Sequence, residues 1–379
     1  MKISIQNNYG NQLNHQYIND MRIIIRYLFV MLLLLFSCNS IAQVQKKPWA
    51  TLCNGTLTFL YGYKPTITSK IYCPMCNKSM AYSDNYCGNC GRKNSKGFTV
   101  YEVPLAVQRS DISVKNAEKR FEAYMDLNGK VPWHKDMPKV KRVNILPSFR
   151  NVTNITSTSF WFSCEGCDDK STLQFITGLE NLNTSNIKYM AGMFLGCECV
   201  SSLNLSRFDT SNVRDMSCMF SSCSLLTSLD LGSFNTANVQ YMTGMFSECE
   251  RIETLNLSRF NTKNVSDMTG MFEGCKKLSS LNVSSFNTRN VISMMSMFRG
   301  CERLTSLNIA SFNMNQVEAV MGMFEDCKLL TTIYVSSSGW NLKRARENHK
   351  LNDYKFLWVE YDNGIEDMYE NCPAKVVWR

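Results

Sequence analysis

The sequence predicts an α/β repeat solenoid with one short strand and one short helix in each 26-residue unit. Every copy carries a Met-Phe pair, and a cysteine lies four residues after the methionine. The pair begins at residues 193, 219, 245, 271, 297 and 323. A fixed period of this length is typical of units that stack in one dimension.

The first half of each unit contains the pattern L-x-x-L-x-L. Leu255 and Leu257 alternate with polar residues, which predicts a short strand with one apolar face. The polar residues then form a neutral surface of hydroxyls and amides, which either binds a partner or is plain solvated surface. This candidate partner-binding face comprises Ser202, Asn204, Ser228, Asp230, Thr254, Asn256, Ser280, Asn282, Ser306 and Asn308, with Tyr334 and Trp340 as aromatic anchors near its C-terminal end.

The second half of each unit has apolar residues at i, i+3, i+6 and i+7, as from Val265 to Phe272. That spacing predicts one face of a short helix. Asn264 is the candidate N-cap, and Asp267 completes a capping box.

Stacking of the units is obligatory on energetic grounds. One unit buries roughly seven apolar side chains, each worth roughly 1.5–3 kcal/mol. Ordering its backbone costs on the order of 1–2 kcal/mol per residue, so a lone unit does not fold. The repeat cysteines are expected to be buried free thiols that fill a tight corner between helix end and strand, and a disulfide ladder is the alternative.

The first 42 residues resemble an export signal. Basic residues precede an apolar run at 28–36, which is short for a membrane span, and Met21 is a candidate translation start. Cleavage after Ala42 is favoured, and lipidation of Cys38 at an approximate lipobox is the second route. An uncleaved anchor is the third alternative. All three place the rest of the chain outside the cytoplasm.

A zinc ribbon is predicted at 70–93. Cys73 and Cys76 form one C-x-x-C pair, and Cys87 and Cys90 form a second after a short polar linker. Four thiolates at this spacing suit a closed, structural Zn²⁺ site. Disulfides and redox or iron chemistry are the alternatives.

Strands flank this segment on both sides. The stretch WATLCNGTLTFLYGY (49–63) alternates apolar and polar residues around Asn54-Gly55, which predicts a hairpin or strand. The stretch VKRVNILPSF (140–149) predicts a strand that ends at Pro147.

The array has degenerate ends, as capping units require. WFSC (161–164) stands where later copies have MFSEC, and IEDMYENC (365–372) repeats the Met–aromatic–Cys spacing. The predicted organisation is therefore 1–42 signal region, 43–148 N-terminal region with the zinc ribbon, 149–197 degenerate first repeat or cap, 198–335 regular repeats and 336–379 C-terminal cap.

Charge and motifs argue against two function classes. The net charge is +9, but residues 43–150 carry 18 Lys or Arg against 7 Asp or Glu, whereas 151–340 carry 13 against 17. A nucleic-acid binder is expected to carry positive charge on its main surface. The chain has three histidines and no recognisable catalytic motif, so we expect neither a nucleic-acid partner nor an enzyme.

The repeat motif F-N-T-x-N-V-x-x-M-x-x-M-F-x-x-C, followed by L-x-x-L-x-L, resembles the BspA-like leucine-rich repeat surface proteins. The resemblance covers roughly residues 149–335. It implies an exported or lipid-anchored bacterial protein with a leucine-rich-repeat-like solenoid and a role in adhesion or host contact. The zinc-ribbon-like segment departs from that pattern.

These observations lead to two expectations of function. The first is a secreted or cell-surface bacterial scaffold that binds a protein or glycan partner. The alternative is a structural envelope component whose zinc ribbon docks a partner. In both cases membrane contact comes only through a lipid anchor.

Overall fold

Short strands and tight turns, without any α-helix, make up the regular structure of the residues that the computed structural model describes: 46–53, 55–62, 71–72, 79–80, 98–104, 131–165, 171–339 and 371–378. Except for Lys46, these residues belong to one unit, Lys47–Arg379, and Met1–Lys46 form a second. The strands are β1 Lys47–Cys53, β2 Thr56–Gly62, β3 Ile71–Tyr72, β4 Ser79–Met80, β5 Phe98–Glu102, β6 Arg142–Ile145, β7 Phe175–Thr177, β8 Thr254–Leu255, β9 Ser280–Leu281, β10 Ser306–Asn308, β11 Thr332–Val335 and β12 Lys375–Trp378. Three 3-10 helices span His134–Lys139, Pro147–Asn151 and Leu179–Asn181.

In the parts of the chain that the structure describes, no helix combines the length and apolar character needed to cross a bilayer.

A five-stranded mixed sheet precedes the repeats, with the strand order β5-β1-β2-β6-β7. β1 and β2 form an antiparallel hairpin in which Cys53 pairs with Thr56, so the predicted hairpin is confirmed. β6 adds parallel to β2, and a 3-10 helix starts at Pro147, where the strand was expected to end. β7 pairs parallel to β6 and leads into the repeat array.

An aromatic cluster joins this sheet to the first turns of the array. Phe59 on β2 packs against Trp133, Phe149, Trp161 and Phe162 with ring centroids 5.1–5.7 Å apart. The indole Nε1 of Trp133 donates a hydrogen bond to the Trp161 carbonyl at 2.6 Å. All five rings are buried, so sheet and array share one continuous core.

The prediction of one helix per unit is wrong. The M-x-x-M-F half of each copy is a run of tight turns, as between Met190 and Cys197. The Met193 N–H donates to the Met190 carbonyl, three residues back. The Gly192 and Phe194 N–H groups instead donate to the next copy, 25 residues on, at 2.8 and 3.0 Å. Backbone hydrogen bonds thus alternate between local turns and the neighbouring copy, and an α/β solenoid is excluded. We call each copy of the repeat, with its strand half and its tight turns, a layer.

Left-handed backbone conformations explain why no helix forms. In the turn from Met190 to Met193 the third residue, Gly192, has φ +60°, as a type II turn requires. A right-handed helix cannot include such residues. Each layer has two left-handed positions, which are occupied by Gly192, Cys218, Gly244, Gly270, Ser296 and Gly322, and by Gly196, Ser222, Glu248, Gly274, Gly300 and Asp326.

Side chains that were expected to cap helices make other hydrogen bonds instead. The Asn264 amide nitrogen donates to the Ala237 carbonyl of the preceding layer at 2.7 Å. The Asp267 carboxylate accepts from the Thr269 N–H in its own turn at 2.9 Å. The capping box is therefore absent at this position.

Buried threonines make a second inter-layer ladder. The Thr262 hydroxyl donates to the Asn287 carbonyl at 3.0 Å and accepts from the Asn287 N–H at 2.7 Å. Thr210, Thr236 and Thr288 make the equivalent pair of bonds, and all four side chains are almost completely buried. One hydroxyl thus satisfies two backbone groups of the next layer.

A phenylalanine column runs through the core of the array. The rings from Phe194 to Phe324 stack on their neighbours with centroids 5.5–5.8 Å apart and interplanar angles of 8° or less. The predicted strands are present but short, and β8–β9, β10–β11 and β11–β12 pair in parallel. The array is therefore a stack of parallel layers with its apolar residues inside.

Candidate binding face

Two columns of exposed polar side chains lie on the strand side of the array. The hydroxyl column consists of Ser202, Ser228, Thr254, Ser280 and Ser306, and the amide column consists of Asn204, Asp230, Asn256, Asn282 and Asn308. All ten residues are exposed, as the alternation with buried leucines predicts. Parallel pairing of Thr254 with Ser280 brings equivalent residues of successive layers side by side.

The side-chain oxygens of the amide column already accept hydrogen bonds within the fold. The Asn256 side-chain oxygen accepts from the Ser258 N–H at 3.2 Å and from the Ser258 hydroxyl at 2.8 Å. Asn204, Asp230, Asn282 and Asn308 accept from the N–H two residues on in the same way. Such Asx turns end the strand. Since the oxygens are used locally, the asparagines offer mainly their NH₂ donors to a partner.

The face changes character at its C-terminal end. Tyr334 pairs with Asn308 in the strand register and so continues the amide column. Lys375 and Val377 on β12 follow Thr332 and Tyr334 and extend both columns by one layer. Val377 is 38% exposed. Tyr334 is half-buried. The surface is therefore polar along both columns and becomes apolar at their C-terminal end.

Sequence reasoning missed Lys375 and Val377. The β-branched and aromatic residues of KVVW (375–378) favour a strand, but the segment lies in the predicted C-terminal cap. Trp340, the second predicted anchor, lies outside the described residues.

Ion pairs between layers flank the face. Lys276 lies 2.6 Å from Glu250, and Lys328 lies 2.8 Å from Glu302. The hydrogen bond that Lys276 donates to the Glu250 carboxylate raises the pKa of Lys276. Because each lysine is matched by a glutamate of the preceding layer, this border adds little net charge.

The six repeat cysteines are buried free thiols, as predicted, although no helix end lies beside them. They are Cys197, Cys223, Cys249, Cys275, Cys301 and Cys327. Each thiol donates to the carbonyl of a phenylalanine in the preceding layer at 3.0–3.2 Å. Burial raises the pKa of Cys249 and of Cys301 to about 12, so these thiols stay protonated.

The predicted zinc ligands Cys73, Cys76, Cys87 and Cys90 lie outside the described residues, as does Cys38. β3 and β4 pair antiparallel, Ile71 with Met80 and Tyr72 with Ser79, on either side of the first C-x-x-C pair. Among the described residues, no group of three or more His, Cys, Asp or Glu side chains is arranged to hold a metal ion. The zinc site stays a prediction.

Two adjacent segments of the chain, residues 158–254 and 248–354, match a family described as Mycoplasma protein of unknown function, DUF285. Together they cover just over half of the chain and most of the repeat array. No curated protein shows significant similarity to the chain. The BspA-like relationship expected from the repeat motif is not established by this match.

Proposed function

The chain belongs to the family described as Mycoplasma protein of unknown function, DUF285, and from that premise we propose that it is an exported, non-enzymatic bacterial scaffold that binds a protein or glycan outside the cell. Its repeats are, in this proposal, related to those of BspA-like leucine-rich repeat surface proteins. The apolar run at 28–36 supports export.

The observation that carries the proposal is the register of the candidate binding face. Parallel pairing repeats the same exposed hydroxyl and amide groups from layer to layer. A surface of this kind suits a partner that offers many similar groups along its length. Weak hydrogen bonds, each worth about 0.5–1.5 kcal/mol, then add up over several layers.

The chemistry of the face favours an oxygen-rich partner. The asparagine oxygens are engaged in Asx turns, which leaves NH₂ donors and hydroxyls facing outward. Glycan hydroxyls and peptide carbonyls accept hydrogen bonds from such groups. Tyr334 and Val377 at the end of the columns supply apolar contact area of the kind that anchors binding.

Binding of the full chain to glycan arrays and to extracellular-matrix proteins tests this proposal. Ser280→Arg places a bulky charge in the middle of the hydroxyl column and is expected to weaken binding at least about tenfold. Gln240→Arg is the matched control, because Gln240 is exposed in the turn half of its layer and Arg214 occupies the equivalent position one layer earlier. Absence of binding across both screens, or equal losses in the two variants, would contradict a role for this face.

We propose as the second candidate an envelope component in which a zinc ribbon at 70–93 docks a partner. The spacing of the four cysteines and the β3–β4 pairing around the first C-x-x-C support it. Deletion of 70–93 should abolish envelope assembly while leaving the unfolding of the array unchanged. A purified chain without stoichiometric zinc would argue against this candidate.

Export itself has two versions in this proposal, release after cleavage at Ala42 or retention through lipidated Cys38. The intact mass of the mature protein distinguishes them, since only the second version adds acyl chains. An unprocessed N-terminus would contradict both.

A further inference from the structure

The last described layer of the array brings two distant cysteines together. The Asn371 amide donates to the Asp326 carboxylate at 3.1 Å, and the Lys375 N–H donates to the Thr331 carbonyl at 2.9 Å. Cys372 and Cys327 lie between these two contacts. The residues before them share the same left-handed backbone, with φ +55° at both Asp326 and Asn371. The two cysteines therefore occupy equivalent places in adjacent layers.

The Asn371–Asp326 contact places Cys372 beside Cys327, whose thiol also donates to the Phe298 carbonyl at 3.0 Å. Adjacent parallel strands lie about 4.7–4.9 Å apart, inside the Cα separation that a disulfide spans. Cys327 is completely buried, whereas Cys372 is half-buried at the edge of the core. Oxidants in solution thus have access to one member of the pair.

The interior cysteines differ in their exposure. Cys249 and Cys275, for example, are completely buried, so an oxidant in solution has no access to them. Their thiols donate to phenylalanine carbonyls, as the Cys327 thiol also does. The C-terminal pair is distinguished by Cys372, whose half-buried side chain is accessible from solvent.

We propose that Cys327 and Cys372 form a disulfide that fastens the C-terminal strand to the repeat array. The oxidant is a small-molecule disulfide such as oxidised glutathione. The Cys372 thiolate attacks one glutathione sulfur and releases the other glutathione as a thiol after it takes up a proton. Cys327 then loses its proton, attacks the Cys372 sulfur and releases the second glutathione. Two protein thiols are oxidised, and one glutathione disulfide is reduced to two thiols.

The acidity of the pair fits this order of attack. The hydrogen bond from Cys327 lowers the pKa of Cys372 to about 7, although burial opposes it. The same contact, together with burial, raises the pKa of Cys327. Cys372 is therefore the thiolate near neutral pH, and the thiolate is the attacking species.

The bond has a structural consequence for the candidate binding face. β12 carries Lys375 and Val377, and it pairs with β11, which carries Tyr334. The disulfide closes the chain between Cys327 and Cys372 and so holds β12 in register with β11.

The test uses the full chain equilibrated with oxidised glutathione under native conditions, followed by alkylation, digestion and peptide mass spectrometry. A reducible peptide that joins Cys327 to Cys372 is the expected product. Amide hydrogen exchange at 375–378 should slow several-fold in the oxidised protein relative to the reduced one. This wild-type comparison requires no variant, so it decides the question whether or not a substituted chain folds.

Two variants sharpen the result. Cys372→Ser should remove both the linked peptide and the effect of oxidation on exchange. Cys199→Ser should leave both intact, because Cys199 is also half-buried but donates to the Ser171 carbonyl and lies outside the pair. Cys372 that remains free or only glutathionylated after oxidation, or Cys327 joined to a different cysteine, would overturn the proposal.

Discussion

Single buried threonines carry much of the bonding between layers. Each hydroxyl serves one carbonyl and one N–H of the next layer, as Thr262 does for Asn287. A valine has the same shape but neither bond. A valine at position 262 would leave the N–H and the carbonyl of Asn287, both partly buried, without this partner, and such a group costs about 1–3 kcal/mol when it is fully buried.

We expect Thr262→Val to lower the free energy of unfolding by about 2–4 kcal/mol on this ground. Thr254→Val is the matched control. Because Thr254 is exposed on the hydroxyl column, this substitution should change the free energy of unfolding by no more than about 0.5 kcal/mol. Urea unfolding of both variants measures the difference. Equal effects would show that the threonine ladder contributes nothing specific.

Asp136 makes stability depend on acid pH. Its carboxylate accepts from the Tyr101 hydroxyl at 2.5 Å and from Lys139 at 2.6 Å. Burial alone would raise the pKa of Asp136, but these hydrogen bonds outweigh it and hold the pKa below its usual 3.8. The stabilisation is therefore present above that value and is lost as the pH falls through the lowered pKa.

Asp136→Asn should consequently lose less stability than the wild type as the pH falls from neutral to about pH 3. Urea unfolding at a series of pH values gives both curves. Parallel curves would mean that Asp136 titrates alike in the folded and unfolded chain.

At the scale of elements, tight turns replace helices. Gly192 and Gly300 occupy the two left-handed positions of a layer, with φ +60° and +67°. The two positions differ in the room they leave for a side chain. A Cβ at Gly192 would lie 2.3 Å from the Phe160 ring, whereas a Cβ at Gly300 would have no neighbouring atom closer than 3.5 Å. Ser296 and Cys218 show that a layer tolerates the backbone strain alone.

Gly300→Ala should therefore cost only the strain of a left-handed residue, about 1–2 kcal/mol. Gly192→Ala adds the clash with Phe160 and should cost clearly more. Thermal unfolding of the two variants ranks them. Equal costs would mean that the Phe160 ring moves aside freely, and the opposite order would contradict the argument from space.

The sequence allowed the period, the strands and the outward polar columns to be predicted, because leucine alternation and a fixed repeat length report directly on packing. The helix prediction failed because methionines at every third residue fit a helix face. They fit equally well a run of β-turns in which each N–H bonds the carbonyl three residues back. The glycines in M-T-G-M-F-E-G-C (268–275) were the available signal, since two glycines within a helix cost about 1 kcal/mol each relative to alanine.

Contacts between distant residues were less accessible to prediction. The pairing of Cys372 with Cys327 depends on how β12 adds to β11, and the intervening residues break the 26-residue period. Periodicity aligned Asn308 with its neighbours but gave no sign that Val377 extends the same column.

At the scale of the whole array, each layer bonds to the layers directly before and after it. The bridges from Tyr189 through Asp215, Tyr241 and Asp267 to Ser293 advance by 26 residues each time. Stability is then approximately a sum over layers and their interfaces. Any layer can be removed without misaligning the others, provided that whole repeats are lost.

Deletion of residues 250–275, one complete repeat, should leave a chain that folds cooperatively. Its denaturant m-value should fall, because less surface is exposed on unfolding. Deletion of 250–262 is the matched control, since it removes one strand half and joins the turn half of one repeat directly to the turn half of the next, which should not give a folded array. Circular dichroism with urea unfolding compares the two, and equal behaviour would contradict a register of 26.

The stacked phenylalanine column also sets how the protein responds to mechanical tension. Rings of successive layers lie nearly parallel, with centroids 5.5–5.8 Å apart, from Phe194 to Phe324, so a pull along the stack loads one interface at a time. Each layer that detaches frees 26 residues, or about 85–95 Å of extended chain. A protein built in this way would lengthen in equal steps under load and absorb work at each step.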